Sequence, residues 1–165
     1  LATVVDPPGH DIEPHGRAGA VRLRLAAAVP LAILSTLVSR RDPAMRRHYP
    51  FSKGACRDAR RLAVYEASYL FLYYLPWEFA FRGLLFFPLV AAIGLLPALA
   101  VQTLLSTLYH IGHPDTEVLA ALGAGFVFGL VAYYTRSIFY TTAIHALVGI
   151  LTDLALCPAH RGRTA

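Results

Sequence analysis

The sequence predicts an all-α fold, a polytopic transmembrane helix bundle with about four core spans plus one short N-terminal span. Composition is the first observation behind it: of 165 residues 56% are hydrophobic and 15% charged, with mean hydropathy +0.52, where a water-soluble domain carries about 25% charged residues. The second is where the charge lies. Eight basic side chains fall between Arg40 and Arg61, opposed only by Asp42 and Asp58, whereas from Leu62 to His160 the only Lys or Arg side chains are Arg82 and Arg136. Basic groups that border hydrophobic segments follow the positive-inside rule. They do not form the basic, aromatic-studded surface of a nucleic-acid binder, so the expected partner is the lipid bilayer and not nucleic acid. The length suits one compact domain and excludes a large multidomain enzyme.

Taken in order, residues 1–20 scatter Pro7, Pro8, Gly9, Pro14, Gly16 and Gly19 among charges with no period, and read as a disordered lead. Residues 21–39 form a short N-terminal membrane helix. Its uncharged run, Leu25 to Ser39, is 15 residues, against about 20 for a span, so it crosses only with its flanking arginines snorkelling, and Pro30 kinks it. Residues 40–61 are a basic loop placed on the cytoplasmic side, in which Asp42-Pro43 and Tyr49-Pro50 break helix and Asp58 starts the next one. Residues 62–157 are the membrane-embedded core. A long helix runs from about Arg60 to Ala92, and Gly94-Leu95-Leu96-Pro97 interrupts an uncharged stretch of 27 residues. A second helix follows from about Pro97 to Ile111. Val118 to Thr135 carries Gly123, Gly125 and Gly129, spacings that let membrane helices approach closely. Ser137 to Leu156 closes the core before Pro158, and 158–165 is a basic tail. Cys56 and Cys157 make no Cys-x-x-Cys pair and read as free thiols. One lysine, Lys53, against 14 arginines suggests a GC-rich genome and a prokaryotic plasma membrane.

Ionisable side chains inside spans are costly and mark cavities or substrate paths. Glu78, Arg82, His145 and Asp153 are of this kind. Glu78 and Arg82 are four apart, hence on one helical face and able to pair. From Glu78 to the break and from Pro97 to His110 the legs are nearly equal, about 20 Å at 1.5 Å per residue. An antiparallel hairpin therefore returns His110 to the level of Glu78, and His145 falls at mid-depth of the last helix. One carboxylate and two imidazoles are the parts for activating water, directly or through a bound metal. His110, His113, Asp115 and Glu117 could form a separate metal cluster. A polar turn with Glu117 at the next helix's N-terminus is the simpler account.

The run Trp77-Glu78-Phe79-Ala80-Phe81-Arg82-Gly83, followed by His110 and His145, resembles the CPBP family, the membrane-embedded prenyl (CAAX) proteases and bacteriocin-processing or immunity proteins also called the Abi family. Its signatures are Glu-Glu-x-x-x-Arg with Phe-Arg-Gly, Phe-x-x-x-His, and His-x-x-x-Asn or Asp. The resemblance covers about Arg41 to Asp153. It implies an intramembrane endopeptidase acting on a membrane-associated peptide or protein, with Glu78, Arg82, His110 and His145 as the catalytic set. Glu78 is then the general base, oriented by Arg82, and His110 and His145 are metal ligands or polarising groups. A divalent metal, zinc first, is implied by the family's reputation as metalloproteases, and a metal-free glutamate mechanism stands beside it. Trp77 occupies the first glutamate position, Ser106 the phenylalanine position, and Gly149 the Asn/Asp position. Asp153, one turn further, is the expected substitute partner, with Glu117 as a second supporting group. The competing classes are a non-catalytic immunity or partner-binding protein of the same fold and a small proton-coupled carrier.

Overall fold

Side chains are sorted in the reverse of a water-soluble protein. Glu78, Arg82, Gln102, Thr103, Thr141 and Asp153 are buried, while Leu72, Leu84, Leu96, Leu119 and Phe139 are exposed. An apolar exterior around a polar interior is stable only with lipid outside, because the outer leucines meet hydrocarbon and the inner polar groups find partners or a cavity. This is an integral membrane protein. The computed structural model describes residue 30 and residues 32–158. The expectations for the lead, for the start of the N-terminal helix and for most of the tail lie outside the described residues.

Helix α1 covers residues 32–41. Asp42 then caps α2 (Pro43–His48), its carboxylate accepting from Ala44 N–H at 2.7 Å, with Pro43 in the first turn where no N–H is needed. A 3₁₀ turn, Lys53–Arg57, leads to Asp58, which accepts from Arg61 N–H at 2.8 Å and starts α3 (Ala59–Ile93). Within the loop expected from Asp42-Pro43 and Tyr49-Pro50, the chain thus recovers two short helical turns.

At 35 residues, α3 is about 52 Å long, well beyond a hydrocarbon core of about 30 Å. It is not regular. Leu70–Tyr74 and Phe79–Phe86 are π-helical, with Leu75 N–H reaching back to Leu70 O and Phe87 N–H to Arg82 O. Pro76 supplies the reason for the first: its ring clashes with the carbonyl four residues earlier and it has no N–H to offer, so the turn widens. Gly94, at φ 84°, ends the helix in a conformation an L side chain rarely adopts. Helix α4 (Leu95–Leu108) returns, and α5 (Asp115–Thr135) and α6 (Phe139–Leu156) complete the bundle. By length and composition α3, α5 and α6 can cross a membrane. The expected fourth core leg, α4, has 14 residues, about 21 Å, and is a shorter apolar helix.

Two of the three glycines of α5 form its seam with α4. A Cβ on Gly129 would collide with the Leu99 side chain, and one on Gly125 would stand 3.1 Å from Ser106 Oγ; Gly123 faces open space. Across that seam Gln102 Nε2 donates to the Gly125 carbonyl at 2.8 Å. Phe86, Ala98, Leu99 and Ala132 join α3, α4 and α5, and Phe128, Val131 and Ile144 join α5 to α6.

The cysteines are not free. Cys56 and Cys157 form a disulfide, their Cα atoms 5.1 Å apart across 101 residues of sequence. Spacing rules detect local pairs; this one exists only because α6 ends beside the basic loop, where Ala55, Leu62 and Tyr65 pack around the bridge.

Candidate active site

Helices α3 and α6 run antiparallel in a one-turn register. Glu78 meets His145, and one turn away Tyr74 meets Gly149. The Glu78 carboxylate is completely buried; its Oε1 accepts from His145 Nδ1 at 2.8 Å and from Arg82 at 3.3 Å. A carboxylate that already faces a guanidinium is an acceptor, which makes Nδ1 the protonated nitrogen of His145 and leaves Nε2 with the lone pair. Arg82 is 2% exposed, sits on the second π stretch and lies 5.5 Å from the Phe128 ring centroid. Its Nε, like Glu78 Oε2, is buried without a hydrogen-bond partner. Such orphaned groups in one place need a reason beyond packing.

A cavity of about 170 Å³ opens against this pair. Arg82, His110, His145, Asp153 and Glu117 line it, joined by Tyr49 from the basic loop. Glu78 stands behind its wall, so the carboxylate expected as general base reaches the cavity through His145, which is 20% exposed. His110 is held by its Nδ1, 2.8 Å from the Ser106 carbonyl, again leaving Nε2 as the free nitrogen. The hairpin count is met at this point: the Trp77 and His110 rings touch edge to face, with centroids 5.4 Å apart.

The motif departures acquire physical causes. Tyr74, missed in the sequence, packs at a tilt against the His145 ring with centroids 4.9 Å apart, and its hydroxyl fills the space that any Cβ at Gly149 would need. An Asn or Asp at 149 has no room there. Trp77 packs between Tyr73, Phe81, Tyr109 and His110 as an aromatic wall of the cavity. Ser106 is buried where α4 and α5 approach at Gly125, too close for phenylalanine. Asp153 lies within electrostatic reach of Lys53 of the basic loop, where burial lowers the lysine pKa and the carboxylate opposes that shift. Glu117 sits in the first turn of α5, as expected, and its Oε1 accepts from the Tyr49 hydroxyl at 2.6 Å.

The family model of type II CAAX prenyl endopeptidases, Rce1-like, matches residues 63–151. The chain belongs to this family. No curated protein and no solved structure matches it. The matched segment contains Glu78, Arg82, His110 and His145 and stops short of Asp153, Cys56, Cys157 and His48. Membership in the Rce1-like family makes this a protease-type membrane protein.

The metal that the family's reputation implies finds a poor fit at His110 and His145. Among the described residues, the trio of His, Cys, Asp or Glu whose donor atoms gather within 4.8 Å is His48, His113 and Glu117, not Glu78, His110 and His145. Glu78 Oε1, moreover, already serves both Arg82 and His145, and a guanidinium at that distance opposes a cation.

Proposed function

We propose that this chain is an intramembrane endopeptidase that hydrolyses a peptide bond in a membrane-associated protein or peptide, with His145 as the base that activates water and Glu78 as the group that orients it. The supporting observation is the position of His145, between a buried carboxylate on Nδ1 and a cavity on its other side. In this reading Nε2 takes a proton from water, the resulting hydroxide attacks the scissile carbonyl, and the imidazolium returns the proton to the leaving amine. Glu78 remains a carboxylate throughout and stabilises the imidazolium, as the buried carboxylate does in serine-protease triads. Arg82 holds Glu78 and faces the cavity as a donor to the developing oxyanion, while the free Nε2 of His110 accepts a hydrogen bond from the attacking water. The apolar, aromatic wall around Trp77 suits a lipid-modified or otherwise apolar peptide tail.

The test uses the purified full chain in lipid vesicles with a farnesylated CAAX peptide and an unmodified amphipathic peptide, products being read by mass spectrometry. Cleavage of either peptide by wild type, lost by at least about 100-fold in His145→Ala with fold retained, is the expected result. Binding without cleavage, unchanged by His145→Ala, overturns the peptidase reading in favour of a partner-binding protein.

A further inference from the structure

A second cluster lies where the basic loop meets the α4–α5 turn. His48 is the last residue of α2, His113 belongs to the turn before α5, and Glu117 is in the first turn of α5. One donor atom from each falls within 4.8 Å of the others. His113 Nδ1 is 3.0 Å from Glu117 Oε1, and the His48 and His113 rings are 4.9 Å apart. Two polar atoms of this cluster, His48 Nε2 and Glu117 Oε2, are buried with no hydrogen-bond partner. A polar turn explains Glu117 at a helix N-terminus, but it leaves both of those atoms unsatisfied, at a cost that native structures rarely carry.

From this geometry we infer that His48, His113 and Glu117 form a zinc site joining the basic loop to the membrane core. Two imidazoles and one carboxylate are a zinc donor set with one position left open. On a tetrahedral ion, ligand atoms at about 2.0–2.2 Å stand roughly 3.4 Å apart, so even a gap of 4.8 Å closes by side-chain movements of about 1.4 Å in all. The scaffold is fixed without the ion. Asp42 caps α2 through one carboxylate oxygen and accepts from the Thr116 hydroxyl through the other, at 2.5 Å, which sets α2 against the start of α5. The Tyr49 hydroxyl bonded to Glu117 is an outer partner of the sort that orients metal ligands. Glu117 and Tyr49 also line the cavity, so the open position of the ion borders the space that holds His110 and His145. His48 lies outside the family-matched segment, whereas His113 and Glu117 lie within it.

The experiment is zinc binding by the full chain in detergent after chelator stripping, with competition against a chromophoric chelator and X-ray absorption at the zinc edge. One zinc per chain is expected, with about two imidazole ligands in the absorption spectrum. Affinity falls at least about 100-fold in His48→Gln and in His113→Gln, and is unchanged in His145→Ala. Absence of stoichiometric zinc in the wild type overturns the site, whether or not the variants fold. So does zinc that is lost in His145→Ala but kept in His48→Gln, since that ion would sit at the other pair of histidines. Because the readout is metal, not cleavage, the site stands or falls apart from the peptidase reading.

Discussion

Replacing Glu78 with glutamine separates the energetic role of the carboxylate from its chemical one. Glutamine keeps the volume, so no cavity forms, and the change is confined to charge. Arg82, 2% exposed and 3.3 Å from Glu78, is then left with a buried charge and no carboxylate. Breaking a buried pair from one side costs about 3–5 kcal/mol, a factor of roughly 10² to 10⁴ in the folded-to-unfolded ratio. The Phe128 ring beneath the guanidinium is present in both proteins and does not offset the loss. Removing the orphaned charge as well, in Glu78→Gln with Arg82→Met, should recover stability to within about 1–2 kcal/mol of wild type, the difference being the buried glutamine amide, because removing both charges of a buried pair together is commonly neutral.

Activity should behave differently. His145 loses the carboxylate that fixes its tautomer in both variants, so cleavage falls by about 10⁴ in Glu78→Gln, as when a triad aspartate becomes asparagine, and at least as far in the double variant, which also lacks the Arg82 donor to the oxyanion. Stability is read by chemical unfolding in detergent, activity by the vesicle assay. A Glu78→Gln protein as stable as wild type, or a double variant no more stable than the single one, would refute the claim that Glu78 and Arg82 compensate each other inside the bundle.

Gly149→Ala should destabilise by about 1–3 kcal/mol, the range for overpacking, because its Cβ meets the Tyr74 hydroxyl; Tyr74→Leu in the same chain should relieve it, and thermal unfolding of both checks the register of α3 on α6. Gly129→Ala should cost a similar amount through Leu99 and Gln102, whereas Gly123→Ala, with nothing within 4 Å, should be neutral or slightly stabilising; the same unfolding assay compares them. The Asp42 pKa is lowered from 3.8, first by its bond to Thr116 and next by the cap on Ala44. A depressed folded pKa gives stability that is present above the unfolded value and lost as pH falls through the folded one, so hydrogen exchange in residues 43–48 should rise below about pH 4 in wild type and depend less on pH in Asp42→Asn.

How far the sequence could be read depended on whether a signal was local. Helix existence, the Gly94 break and the Glu78–Arg82 pair are set by residues a turn or less apart, and hydrophobic runs with Pro and Gly punctuation locate them. The approach of Trp77 to His110 needed only equal leg lengths, since α3 and α4 are consecutive. The register of α6 on α3 was not legible. It is set by Tyr74 entering the gap at Gly149, a small-to-large match 75 residues apart, and no periodicity encodes it. The disulfide failed for the same reason, its two cysteines being neighbours only after α6 returns to the loop. His48 was hidden differently: no sequence signal singles it out, and it gains its neighbours from the short α2, which Asp42 and Pro43 start and whose docking Thr116 completes.

The replaced motif positions bear on whether the site is a working variant or a relic. In a close-packed interior an exchanged side chain has to be fitted by its neighbours. Here each exchange is matched. Gly149 admits Tyr74, which packs against His145; Ser106 allows α4 to close on Gly125; Trp77 packs against His110 itself. Two of these complements, Tyr74 and Trp77, pack against one of the two cavity histidines. A glutamate at 77 would place a second carboxylate beside an aromatic wall, whereas the one carboxylate retained is already committed to His145 and Arg82. The adjustments therefore converge on the imidazoles, which is the pattern expected where proton transfer runs through His145 and the carboxylate serves it from behind.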